Sequence, residues 1–324
     1  MPDKPIHYTE NGFMNPHKSS TIGFLDFIKW QLGKGPTEKS TIPEKEIPAF
    51  NPDIVEPDLH RLVNPDSTQI QITWIGHATF LIQIAGINIL TDPIFSERSS
   101  PISFAGPKRL AAPGIQFENL PEIHVVVLSH NHYDHLDLPT VKRFGNNPKY
   151  FVPLGLKEWF QDKGIDNVVE NDWGQTFGFN ELNFNCVPAQ HFSGRSLTDR
   201  NKTLWAGWVI ETQLGNIYFA GDTGYTPDFL GIGKKFAPIK ISMIPIGAYK
   251  PRWFMAHIHV DPPEAVKIHQ DVQSETSIAM HWGTFKLADE AMSEPPIYLK
   301  KALKQAGLSE AEFIVMAYGQ TLSF

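Results

Sequence analysis

Three imidazoles and a carboxylate fall within six residues in the stretch Leu128-Ser-His130-Asn-His132-Tyr-Asp134-His135-Leu-Asp137. Neutral imidazole nitrogen and carboxylate oxygen are the donors that a borderline divalent metal takes. His130 and His132 stand two apart, on one side of an extended segment, and Asp134 and His135 follow on the turn, so all can point into one space. Joined by distant donors, they exceed what one ion needs, and the pattern suggests a two-metal site. The alternative is a solvated His-rich tract. The apolar run Val125-Val-Val-Leu128 before the cluster argues against it, as do Leu136, Leu138 and Val141 after it, which read as the core face of a helix.

The same logic recurs further along the chain. Val187-Pro-Ala-Gln-His191, Tyr218-Phe-Ala-Gly-Asp222-Thr-Gly224 and Ile278-Ala-Met-His281-Trp-Gly283 each place a metal-type donor just past an apolar strand. Glycines beside Asp222 and after His281 let the backbone turn sharply there. Read alone, each donor is equally well a capped turn or a paired polar residue; read with the His cluster, they form one set. The single cysteine, Cys186, permits neither a disulfide framework within the chain nor a thiolate metal site. It lies in the alternating run Leu182 to Val187, as a buried strand residue would.

Two regions must position these donors. Residues 1–68 form a Pro-rich N-terminal extension with one amphipathic helix, Ser20 to Leu32, packed on the main domain. Leu25, Ile28 and Leu32 share a stripe beside Phe24, Phe27 and Trp30, which either packs on the main domain or meets lipid or an apolar substrate groove. Residues 69–324 form the main domain. Short alternating strands open each half (Gln69 to Leu90, then Glu181 to Ala220). Helices interleave later: Asp137 to Phe144, Leu154 to Lys163, Pro227 to Phe236, Pro262 to Gln273 and Ile297 to Ala306. Strands at 241–246, 276–280 and 312–316 complete an α/β pattern of two packed sheets with helices outside. Trp205 and Trp208 read as core. A balance of 28 basic against 35 acidic residues, net −7, argues against broad nucleic-acid binding. The polar start Met1-Pro-Asp-Lys-Pro lacks a signal core, and no stretch is apolar for a bilayer's width. The expectation is a cytoplasmic protein, with a peripheral membrane contact left open.

Together these residues resemble the metallo-β-lactamase superfamily: His-x-His-x-Asp-His, a later His, an Asp in a Gly-Asp-Thr-Gly turn, and a final His. Longer motifs resemble the family of phospholipases D that hydrolyse N-acylphosphatidylethanolamine. They are Trp74-Ile-Gly-His-Ala-Thr-Phe-Leu81, Leu90-Thr-Asp-Pro-Ile-Phe-Ser96, Leu204-Trp-Ala-Gly-Trp208, Ala220-Gly-Asp-Thr-Gly-Tyr225, Ile244 to Met255 and His259-Val-Asp-Pro-Pro-Glu-Ala-Val266. The chain departs from that pattern at His257 and Ile258. The resemblance implies an αββα sandwich of two mixed β-sheets flanked by helices, with the site along one edge. It implies that His130, His132 and His191 hold one metal, that Asp134, His135 and His281 hold a second, and that Asp222 bridges them. Two zinc ions suit this donor set, as iron or manganese would.

The implied chemistry is attack of a metal-bridging hydroxide on phosphorus, releasing N-acylethanolamine and phosphatidic acid. Asp134 would also steer the nucleophile's proton, and His259 would orient or protonate the leaving group. His77 and Asp92 are candidates for holding ligand imidazoles in the correct tautomer. In Tyr249-Lys-Pro-Arg-Trp-Phe-Met255, Lys250 and Arg252 are candidates for meeting a phosphate, and Trp253 with its neighbours for meeting acyl chains. The expected partner is a phospholipid or another phosphodiester, and the family suggests a homodimer. The alternative chemistry is that of a metal-dependent lactonase or other ester hydrolase, since this fold hosts both.

Overall fold

Successive side chains of a strand point to opposite faces, and consecutive apolar residues such as Phe80, Leu81 and Ile82 therefore give one sheet two buried faces. The structure, a computed structural model, describes residues 5–17, 23–36, 38 and 42–324. A hairpin of β1 (Tyr8–Thr9) and β2 (Gly12–Phe13) and the helices α1 (Phe24–Gln31) and α2 (Leu59–Val63) come first. Residues 20–22, where the sequence reading starts the first helix, lie outside the described residues. Then follow β3 (Gln71–Gly76), β4 (Thr79–Ile84), β5 (Ile87–Thr91), β6 (Val125–Val127), α3 (Leu138–Phe144), β7 (Lys149–Pro153), α4 (Lys157–Gln161) and β8 (Val168–Asn171). The second half runs β9 (Thr176–Phe179), β10 (Leu182–Val187), β11 (Gly207–Glu211), β12 (Asn216–Phe219), α5 (Asp228–Phe236), β13 (Ile239–Pro245), α6 (Arg252–Met255) and α7 (Pro262–Asp271). It ends with β14 (Ser274–Met280), α8 (Glu294–Ala306), β15 (Phe313–Ile314) and β16 (Thr321–Ser323).

The strands form two seven-stranded sheets, in the orders β16-β3-β4-β5-β6-β7-β8 and β15-β14-β13-β12-β11-β10-β9. Each half begins with an antiparallel meander and continues in parallel strands; the meander connections are short except for the loop of residues 188–206 between β10 and β11. Parallel neighbours need long crossovers, and most of these carry the helices: α3 and α4 in the first sheet, α5, α7 and α8 in the second. Trp74, Phe80, Ile82, Ile89 and Val127 face the second sheet and join its inner face in one core. Their neighbours Ile75, Leu81, Leu90 and Val126 face the other way, onto Val141 and Phe144 of α3 and Phe160 of α4. The result is the expected αββα sandwich of two mixed sheets.

The sequence reading and the structure differ at several element ends. The helix expected from Leu154 forms only from Lys157, because Gly155 sits at φ +85° against Lys202 and Thr203. The strand expected from Leu204 starts at Gly207; Leu204 N and Ala206 N instead donate to Leu154 O and Ser129 O, which anchors the loop beside the His cluster. Conversely, α8 starts at Glu294, three residues early, with Pro295 in its first turn, where a missing N–H costs nothing. β7, β8, β9 and β16 were not expected; all are short, and they owe their pairing to the sheet rather than to their own pattern.

The segment before β3 is tied down by side chains. Asn15 bonds His191 O and Trp205, Trp30 Nε1 donates to Asp289, and the Trp30 ring stacks on Phe254 at 5.1 Å.

Candidate metal centre

Loops at one end of both sheets bring the donors together. The loop after β6 carries His130, His132, Asp134 and His135, and the segments after β10, β12 and β14 carry His191, Asp222 and His281. Gly221 makes the approach of Asp222 possible: its φ is +62°, and a Cβ there would come within 2.6 Å of Ser129 Cβ. Among non-glycine residues, His77, Asp92 and His281 hold positive φ angles of 55°, 33° and 59°. Strained backbone of this kind persists where packing over-determines it, and it clusters at functional sites.

The donors form two groups around a shared carboxylate. His130 Nε2 lies 2.8 Å from His132 Nδ1, and His191 Nε2 lies 3.2 Å from the same nitrogen. In the other group, Asp134 Oδ2 lies 3.3 Å from His135 Nε2 and 3.3 Å from His281 Nε2. Asp222 Oδ2 touches both, at 3.1 Å from His135 Nε2 and His281 Nε2 and at 3.9 Å and 3.8 Å from His130 Nε2 and His191 Nε2.

Outer partners orient these rings. Asp92 accepts from Ser129 N at 2.7 Å and from Ser129 Oγ at 2.5 Å, and its Oδ2 lies 2.6 Å from His135 Nδ1. His135 Nδ1 therefore carries the proton, and its Nε2 lone pair faces the site. Ser129 Oγ, its own proton committed to Asp92, accepts from His130 Nδ1 at 2.8 Å. His191 Nδ1 donates to Ile258 O at 2.8 Å. Three rings thus present lone pairs inward. His77 Nε2 sits 2.9 Å from Asp134 Oδ2, so its contact is with a carboxylate. Asp92→Asn is expected to lower metal affinity or activity about 10- to 100-fold, because one of the two accepting oxygens becomes an NH2 that faces either the Ser129 N–H or the His135 Nδ1–H. Retention of both properties in this variant would show that Asp92 does not act on His135.

The electrostatics divide the same way. Burial, reinforced by neighbouring imidazoles, pushes His130 well below the usual imidazole value; burial also takes His191 to about 3 and His132 to about 4. Burial opposes charge on His281 too, but Asp222 and Asp134 outweigh it and raise His281 to about 9; His135 is raised well above its usual value by Asp222, Asp134 and Asp92. Burial likewise works against the Asp222 carboxylate, and His135 and His281 overcome it, holding Asp222 well below the usual carboxylate range. The carboxylates therefore call for positive charge at the centre, and the rings of the other group remain neutral donors.

These residues fit divalent cations. His135 Nε2 and Asp222 Oδ1 are buried without hydrogen-bond partners. Such buried polar atoms are costly unless something pairs with them. His77, Asp134, His135 and His281 form one set with ligand atoms within 4.8 Å of one another; His130, His132 and His191 form another.

A cavity of about 740 Å³ opens onto this cluster, with His132, Asp134, Asp222, His259 and His281 in its wall. The rest of the wall is largely apolar and includes Phe27, Trp30, Phe192, Phe254, Met255 and Leu287. His259 Nδ1 lies 4.0 Å from Asp222 Oδ2.

Lys250, Arg252 and Trp253 do not line this cavity; nearby carboxylates and the N-terminal segment engage them instead. Lys250 Nζ pairs with Glu294 at 2.5 Å. Arg252 pairs with Glu264 at 2.6 Å and donates to His259 O at 2.7 Å. The Trp253 ring lies against Gly35, where a Cβ would come within 2.3 Å of it. Residues that sequence reasoning missed are Ser129, Phe192 and Arg200. For the first two the available signal was adjacency to His130 and His191.

Sequence comparison places the chain among known proteins. A profile for the Beta-lactamase superfamily domain matches residues 87–282. The N-acyl-phosphatidylethanolamine-hydrolyzing phospholipase D 1 of Caenorhabditis elegans is 39% identical over 300 residues, covering 88% of this chain and 82% of the relative. The mitochondrial N-acyl-phosphatidylethanolamine-hydrolyzing phospholipase D of Saccharomyces cerevisiae is 36% identical over 248 residues, covering 74% of this chain and 53% of the relative. Among solved structures, the metallo hydrolase Igni18 of Ignicoccus hospitalis superposes with TM-score 0.60 at 23% identity, covering 79% of this chain and 98% of the other; it shares the fold.

Proposed function

Because this chain belongs to the beta-lactamase superfamily, in the family of the N-acyl-phosphatidylethanolamine-hydrolyzing phospholipases D, and is a metal-dependent hydrolase, we propose that it hydrolyses the phosphodiester of N-acylated ethanolamine phospholipids on the phosphatidate side. The observation that supports this reading is the juxtaposition of an apolar cavity of about 740 Å³ with the shared-carboxylate donor cluster in its wall. A lipid chain fits along Phe27, Trp30 and Phe254, with its phosphate over the cluster.

In this reading His130, His132 and His191 would hold one ion and Asp134, His135 and His281 the other, with the Asp222 carboxylate serving both groups. Nitrogen and oxygen donors of this kind suit zinc. Paired divalent cations supply a water of lowered pKa and a clamp for phosphoryl oxygens. The chain's own residues do the rest. The apolar wall excludes bulk water from the reacting phosphate. Asp92 and Ser129 hold two ligand rings in the tautomer that faces inward. His259 stands in the cavity wall beside Asp222, its carbonyl fixed by Arg252, and is assigned to the leaving oxygen. The new bond is water oxygen to phosphorus; the bond broken is phosphorus to the ethanolamine oxygen, which leaves with a proton as N-acylethanolamine.

The test is hydrolysis of an N-acylphosphatidylethanolamine in mixed micelles before and after chelation. Activity is expected to disappear with the metal and to return on adding zinc. A zinc-loaded protein that leaves this lipid intact while opening a lactone would overturn the proposal.

A further inference from the structure

Arg200 stands in the wall of the same cavity. Its guanidinium carbon lies 4.4 Å from the centre of the Phe192 ring. That ring in turn packs on His132 at 4.4 Å and on His191 at 4.9 Å, so the guanidinium is one aromatic ring removed from the donor cluster. Among the described residues Arg200 makes no ion pair and no guanidinium hydrogen bond. Other cations nearby are engaged. Arg195, five residues earlier on the same loop, donates to Asn131 O at 2.7 Å and Leu136 O at 2.8 Å. Lys250 and Arg252 are held by Glu294 and Glu264.

The backbone around Arg200 is fixed. Asp199 accepts from Arg195 N and Ser196 N at 3.0 Å and 2.8 Å, and Ser193 and Asn201 bond each other across the base of the loop. Burial lowers the proton affinity of Arg200 below that of a free guanidinium, yet the group stays charged. Arg200 is solvent-exposed where it lines the cavity, and a guanidinium beside an apolar wall gains a charge-assisted, two-pronged bond when an anionic oxygen group arrives.

Resting on the phospholipase reading above, we infer that Arg200 determines specificity by binding a second anionic oxygen group of the substrate, one outside the scissile phosphodiester. The donor cluster takes the phosphodiester's own charge, so Arg200 is left to read a carboxylate or phosphate on the head group. The favoured substrates are therefore N-acylated phospholipids with an anionic head group, such as an N-acylated serine head group, over those with the neutral ethanolamine one.

The probes are an N-acylated phosphatidylserine and an N-acylated phosphatidylethanolamine of the same chains, presented in neutral detergent micelles. Equilibrium binding to the zinc-loaded protein is measured separately from turnover. The wild type is expected to bind the serine lipid roughly ten-fold more tightly. Arg200→Gln is expected to erase that preference, Arg200→Lys to keep part of it, and Arg200→Glu to reverse it. An unchanged preference in Arg200→Gln, or none in the wild type, overturns the inference. Absence of turnover on both lipids overturns the phospholipase reading alone, because the binding ratio still reports on Arg200. Circular dichroism of each variant confirms the fold.

Discussion

Asp222→Asn is expected to lower hydrolysis roughly a thousand-fold, the scale of several kcal/mol of lost charge stabilisation, and to reduce the metal bound per chain. Asp222 is the side chain in contact with both donor groups, 3.1 Å from His135 and His281 and within 4 Å of His130 and His191. Asparagine keeps the shape but brings no charge. The site is buried, so water cannot replace that charge. Removing the carboxylate also removes what draws positive charge toward His135 and His281. Metal analysis of the purified variant, read beside its rate, checks both halves. Full metal content with full activity would show that Asp222 does not join the two groups.

Trp208→Ala is expected to cost about 3–5 kcal/mol of stability, with the site loosened as well. Trp208 is completely buried in the core between the sheets, and its Nε1 donates to Leu128 O at 2.8 Å. That bond joins β11 of one sheet to the residue that follows β6 of the other and leads directly into Ser129 and His130. Trp208→Phe separates the two contributions: it keeps most of the apolar surface but leaves Leu128 O without its donor, for about 1–3 kcal/mol. Denaturant unfolding at fixed free zinc gives both values, since a bound metal adds its own stabilisation. A Phe variant as stable as the parent would remove the hydrogen bond from this account.

The metal-type donors were legible because each is a local event. An apolar run of period two, a sharp stop, and a His or Asp at the stop can be read within about ten residues, as at Val125 to His130 or Tyr218 to Asp222. The same locality let the meanders and the long helices α5, α7 and α8 be read in outline. It failed for β7, β8, β9 and β16, whose short segments become strands because neighbouring edges offer them partners. It failed also at Leu154, where contact with residues 202 and 203 decides how the backbone of Gly155 turns.

Charge partners are the sharper contrast. Lys250 and Arg252 lie in a motif whose cations looked free for a phosphate. Packing brings Glu294 to one and Glu264 to the other, and the cavity receives neither cation. Arg200 gave no such signal in the sequence, yet among the described residues it lines the cavity without an ion-pair partner. By itself, then, the sequence determined which residue types end which strands, and hence that a nitrogen and oxygen metal site exists. Only the tertiary structure decided which carboxylate faces both donor groups and which arginine remains for a ligand. Ion pairing depends on through-space distance and burial, and these exist only after distant segments have packed.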